Sequence, residues 1–280
     1  KEFIVTRIHK NSFENSEIES IEFPDDSELR IIDERAFVFS HLEKITIPKS
    51  VNQLTDEWCA IVNKLKINLN PNNRFYSNFE NKFILGKIDS NCGTFDVLVY
   101  SLEDTEIIKI PSFIKRIAPF AFYASQYVIT IDFDEDSQLQ SIAKYAFTNS
   151  SIEKISIPKN VRQIEYSAFS ECNIKFFDFN INSKLKEINP QLFYDSTLTS
   201  ITIPNSVTRI CDSAFFFCCK LKEVKINEDS KLRVIEKSAF FGARIMSLSL
   251  PSSVELKDGW NNNMFEMKEI KIFKKKKRNN

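Results

Sequence analysis

The dipeptide Ala-Phe recurs at 36–37, 121–122, 146–147, 168–169, 214–215 and 239–240, with weaker copies ending in Phe13, Phe193 and Phe265. From Phe122 onward the Phe-to-Phe steps are 25, 22, 24, 22, 25 and 25 residues. A unit of that length cannot bury its apolar face alone, so successive units must stack into a solenoid. The period constrains architecture closely and leaves function open.

Aligning the copies on the Phe exposes further columns. An apolar residue five or six places later opens the pattern LxxIxI, as in Leu42, Ile45, Ile47 or Ile152, Ile155, Ile157. The last two positions are two apart and point to one face of a strand, and Ile and Val dominate there as a half-buried pleated surface favours. Pro48, Pro111, Pro158, Pro204 and Pro251 follow. Each lacks the N–H needed to extend a ladder, which predicts the strand end. Three residues after each Phe stands Ser16, Ser40, Ser125, Ser150, Cys172, Ser196, Cys218 or Ala243, a column with room only for a small side chain. The Phe column itself is expected to form a buried spine.

Two unit types alternate, "ISIPKNVRQIEYSAF" (155–169) and the Pro-free "VKINEDSKLRVIEKSAF" (224–240). The first resembles the BspA-like branch of the leucine-rich repeat family, whose hallmark is IPxxVxxIxxxAFxxCxxLxxI, and the likeness covers most of residues 3–273. It implies an α/β solenoid of about eleven coils. Each coil would carry one short parallel strand on a concave face and a turn of helix or irregular chain bearing the Phe on the convex side.

Residues 1–273 are therefore expected to form the solenoid, with an insertion at 70–101 and a basic, disordered tail at 274–280. Within the insertion, "KFILGKI" (82–88) and "DVLVY" (96–100) read as a β-hairpin joined by a Gly-containing loop. The chain opens mid-repeat at Val5, Ile8 and Phe13, as a fragment or processed form of a longer protein would.

Composition removes several functions. Four glycines leave no glycine-rich phosphate loop. No apolar run approaches the length of a membrane-spanning helix, about 20 residues. With two histidines and no Cys/His ligand spacing, no metal or cofactor is expected. Asp132, Asp134, Glu135 and Asp136 could hold calcium, but without the EF-hand spacing a solvated turn is the simpler reading. No catalytic motif appears, so the chain reads as non-catalytic, without a small-molecule substrate.

The cysteines read as free thiols, which with no visible leader favours a reducing, cytoplasmic compartment; a truncated N-terminus would allow a cell-surface location. Lys274–Lys277 and Arg278 leave 33 basic against 38 acidic residues in the body. The tail suits a polyanion or a solvated end.

The two variable positions on either side of the first Ile of LxxIxI point outward from the core. They give Lys44, Thr46, Lys154, Ser156, Phe176, Asp178, Thr202 and Lys225 as candidate partner-binding residues on a mixed, Ser/Thr-rich face. Neither a basic stripe nor repeated aromatics appear there, which argues against nucleic acid. Phe176 is the natural anchor, since hot spots are usually desolvated aromatics. The hairpin at 82–100 is the second expected contact. The resemblance implies a protein-interaction scaffold for adhesion, host binding or intracellular recognition; the alternative is a structural part of a cytoplasmic or cytoskeletal assembly.

Overall fold

A computed structural model describes residues 4–273 apart from 61, 63–64, 92, 103–104, 263 and 265–266. Phe265, Cys92 and the basic tail lie outside the described residues. The chain divides into two compact units, Lys1–Asp104 with Arg116–Ala124 and Thr105–Lys115 with Ser125–Asn280. Both are built from β-solenoid coils.

The coil of residues 151–172, in the second unit, shows how the sequence produces the fold. Strand Lys154–Ile157 buries Ile155 and Ile157 and exposes Lys154 and Ser156. Val161 N donates to Pro158 O at 3.2 Å to close the turn that follows. A second strand of two residues, Gln163–Ile164, then pairs in parallel with Ser141–Ile142. Ile152, Ile155, Ile157, Val161, Ile164, Ala168, Phe169 and Cys172 all point inward and are no more than 3% exposed.

Among the described residues the second unit carries eight such front strands, from Ile107–Ile110 to Glu269–Phe273, and the first carries three, Ser20–Ile21, Lys44–Ile47 and Lys66–Leu69. Pairing between successive front strands is parallel wherever it forms. Pro48, Pro111, Pro158 and Pro204 stand just beyond their strands, whereas Pro251 is the last residue of Ser247–Pro251.

The expected α/β class is corrected here. No helix is present among the described residues. The Ala-Phe segment is a run of tight turns bracketed by two left-handed residues four apart, such as Tyr145 and Asn149, Ser167 and Glu171, or Ser213 and Phe217. Each left-handed non-glycine residue costs roughly 1–2 kcal/mol and stops a helix from propagating. The geometry turns alternate N–H groups toward the next coil, where they are satisfied. Ser213 N, Phe215 N and Phe217 N donate to Lys237 O, Ala239 O and Phe241 O at 3.2, 2.8 and 2.7 Å. Each coil therefore contributes a front strand, a short second strand and a hydrogen-bonded turn, rather than one strand and a helical turn.

Inside the second unit the Phe column forms a continuous stack. Phe147–Phe169, Phe193–Phe215 and Phe215–Phe240 have ring centroids 5.1, 5.3 and 5.1 Å apart with planes within 9°. All of these rings are fully buried. Trp260 ends the run edge-on to Phe240 at 6.3 Å, and its carbonyl accepts from Phe240 N, the bond an Ala carbonyl makes in other coils. In the first unit Phe13 stacks on Phe37 at 5.2 Å, and Trp58 closes that shorter run with the same edge-on geometry.

The hairpin belongs to the first unit. Strand Phe83–Gly86 pairs antiparallel with both Ser77–Phe79 and Val97–Ser101, and the latter pairs in parallel with Arg116–Ile117. A Cβ on Gly86 would lie 2.9 Å from Val99 Cγ2, so this close approach needs glycine. Phe83, Ile84, Leu85 and Leu98 are buried, so the insertion is part of that unit's core. Tyr76 Oη accepts from Leu54 N at 2.8 Å, capping the short-strand ladder at Gln53–Leu54.

Candidate partner-binding face

The eight residues singled out by outward register divide between the units. Lys44 and Thr46 lie on the first, where Lys44 Nζ reaches Glu22 at 3.3 Å and Thr46 is half-buried. The other six stand exposed on the front face of the second. There Lys154 pairs across the sheet with Phe176, Ser156 with Asp178, and Thr202 with Lys225.

Phe176 is 53% exposed, and Ile181 at the loop tip after its strand is 95% exposed. Phe176, Phe177, Asp178, Ser200, Thr202 and Lys225 help line a depression of about 170 Å³. It lies at one of two places where the front ladder of the second unit is interrupted: strands Phe176–Phe179 and Ser200–Ile203 fall in different sheets, as do Glu223–Ile226 and Ser247–Pro251. Two neighbouring steps show what is missing. Glu153 O accepts from Lys175 N and Phe176 N at 2.8 Å, and Thr199 O accepts from Lys222 N at 2.9 Å. Among the described residues, no such bond joins Lys175 O to Thr199 or Ser200.

At this step the core also differs from its neighbours. Phe177 stands where neighbouring coils carry Ile155 and Ile201. Its ring lies edge-on to Phe169 at 5.2 Å and to Phe193 at 4.8 Å. The Phe169–Phe193 step is 5.9 Å, wider than the steps on either side of it in the stack. A bulky ring at an aliphatic position thus accompanies the wider step of the stack beneath this part of the face.

Charges along the rim are largely matched. Lys175 meets Glu153 at 2.5 Å and Lys225 meets Glu223 at 3.4 Å. Asp178 has no such partner among the described residues. In the acidic turn Asp134 pairs with Lys109 at 2.8 Å, and no cluster able to hold a metal ion occurs among the described residues. No described helix is long and apolar enough to cross a membrane.

A second aromatic cluster, on the turn side of the second unit, was not foreseen. Tyr194, Phe216 and Phe241 stack at 5.4 and 4.5 Å, and Phe217 packs edge-on against Phe216 and Phe241 while remaining 40% exposed. Phe217 has φ 55°, and Gly242 opposite has φ 76°. A Cβ at 242 would meet Phe217 Cδ1 at 2.7 Å. The signal was present in the column after the Phe, which runs Thr148, Ser170, Tyr194, Phe216, Phe241.

Stacked parallel strands, a Phe spine and a repeat of about 23 residues define a β-solenoid of the leucine-rich repeat class. The chain belongs to the BspA type leucine-rich repeat family, whose model matches six copies over residues 3–101, 94–215 and 140–271. No curated protein matches the sequence. Among solved structures, a leucine-rich repeat protein from Eubacterium ventriosum is similar, with TM-score 0.80 and 22% identity over 92% of this chain and 68% of the other. A leucine rich cell surface protein from Faecalibacterium prausnitzii matches over 96% of this chain at TM-score 0.58 and 22% identity, and this chain spans 57% of its length.

Proposed function

We propose that this chain is a non-catalytic protein-interaction scaffold whose front face around Phe176 receives a protein partner. The observation that carries the reading is a half-exposed Phe on a largely polar stretch of the face, beside a depression and followed by the exposed Ile181. Covering such apolar surface releases about 25 cal/mol per Å², which a partner supplies and solvent does not. Leucine-rich repeat proteins generally bind proteins rather than catalyse reactions, in keeping with this assignment. A similar structure described as a cell surface protein supports recognition at a cell surface as the setting.

The test is capture of partners from the source cell by wild type and Phe176→Ser, with thermal melts as the folding control. The variant is expected to melt as wild type and to lose the specific partner. Undiminished capture by a folded variant would remove the reading. Deleting 82–100 is not an equivalent test, because Ile84, Leu85 and Leu98 are core residues.

A further inference from the structure

The depression between strands Phe176–Phe179 and Ser200–Ile203 is shaped by what its walls lack. Its volume is about 170 Å³. That is several times the share of one liquid water, roughly 30 Å³. The two strands remain near neighbours. An inserted strand needs about 4.8 Å to each side and does not fit between them. A single long side chain does.

Three groups on the wall specify its chemistry. Asp178 is a carboxylate with no ion-pair partner among the described residues, whereas the two lysines of the lining each meet a glutamate. Lys175 O, like Lys222 O at the other break, lacks the inter-coil donor that its counterparts Glu153 O and Thr199 O receive. Phe176 adds an exposed ring. Lys154, a cation nearby, belongs to the strand on the other side of Phe176. An uncompensated carboxylate, an open carbonyl and a ring call for a planar cation with several N–H donors. Guanidinium meets all three demands: it binds carboxylate in two-pronged fashion, donates to a carbonyl and stacks on an aromatic ring. Ammonium is a compact, strongly hydrated charge without a face to stack. An anionic ligand would meet the repulsion of Asp178.

Resting on the reading of this face as the interaction surface, we infer that the depression takes an arginine side chain of the protein partner, held by Asp178 and Lys175 O and stacked on Phe176. The probes are tetrapeptides Ac-Ala-Xaa-Ala-Ala-NH2 with Xaa as Arg, Lys, citrulline or Glu, titrated into isotopically labelled full chain while amide shifts are followed. The Arg peptide is expected to move residues 175–178 and 200–202 and to bind about fivefold tighter than the Lys and citrulline peptides. Asp178→Asn is expected to remove that preference at an unchanged melting temperature. Equal binding of the Arg and citrulline peptides, no binding, or shifts confined to other coils would overturn the inference. Native partner capture separates the two levels. Loss with Phe176→Ser but not Asp178→Asn leaves the interaction face standing and removes the arginine, while loss with neither removes both.

Discussion

Phe177 lies edge-on to Phe193, ring centroids 4.8 Å apart and planes at 89°, at one of the two steps where the front ladder of the second unit is interrupted. The same side chain touches the buried spine and lines the accessible depression. Neighbouring coils place the smaller Ile155 and Ile201 in this column, and the Phe177 coil pushes a ring between two members of the stack.

Two core substitutions should separate these roles. Phe193 is a fully buried ring. Phe193→Ala should cost about 3–5 kcal/mol in urea unfolding. Phe177→Ile should cost less than about 2 kcal/mol, because front-strand hydrogen bonds, each worth about 1 kcal/mol net, can form as the coils close. Its crystal structure should show Phe169 and Phe193 nearer than 5.9 Å and the depression reduced.

Gly242 has a φ of 76°, which disfavours any side chain. Gly242→Ala should therefore destabilise by about 1–2 kcal/mol from the backbone alone. The added methyl would also strike Phe217 Cδ1 at 2.7 Å. Combining it with Phe217→Ala should recover the steric part and leave the backbone part. A double-mutant cycle of melts measures the difference.

Much of this fold was legible in the repeat columns. Ile155, Ile157 and their counterparts predicted the front strands because inward positions in a strand are two apart, and the Phe column predicted the spine because a fixed register must stack. The second strand was not visible, since a two-residue segment such as Gln163–Ile164 has no period to read. The absence of helix was hidden too. Left-handed residues such as Tyr145, Ser167 and Glu171 carry no side-chain signature, and their conformation is stabilised by bonds to the next coil. Trp58 and Trp260 escaped notice because they occupy the Ala position, one before the aligned column. At the candidate site, Phe176 stood out as a large apolar residue among outward positions, while Ile107, outward on Ile107–Ile110 and 62% exposed, was passed over. The depression beside it did not, because it lies between strands whose ladder hydrogen bonds fail to form, which no residue pattern announces.

The buried thiols make a pH prediction. Burial pushes Cys172, Cys211 and Cys218 up to about 12, so the folded chain holds these protons where the unfolded chain, near 9, has released them. The native state then binds more protons, and stability falls as pH rises through that window. Urea midpoints should drop from about pH 9 upward and level off near 12. Cys172→Ser with Cys218→Ser should soften the decline, because Ser already fills this column at Ser40, Ser150 and Ser196. Iodoacetamide at mildly alkaline pH should label the exposed Cys219 well before the buried thiols.

The central claim is that a protein partner sits on the front face at Phe176. A photoreactive benzoylphenylalanine placed at 176, and in a parallel sample at 217 on the turn side, tests it without requiring a loss of binding. Irradiation in source-cell lysate should give a discrete cross-linked species from position 176 that excess unlabelled chain competes away, and none from 217. A competable adduct from 217 with none from 176 would contradict the account and move the interface to the aromatic cluster around Phe216 and Phe241.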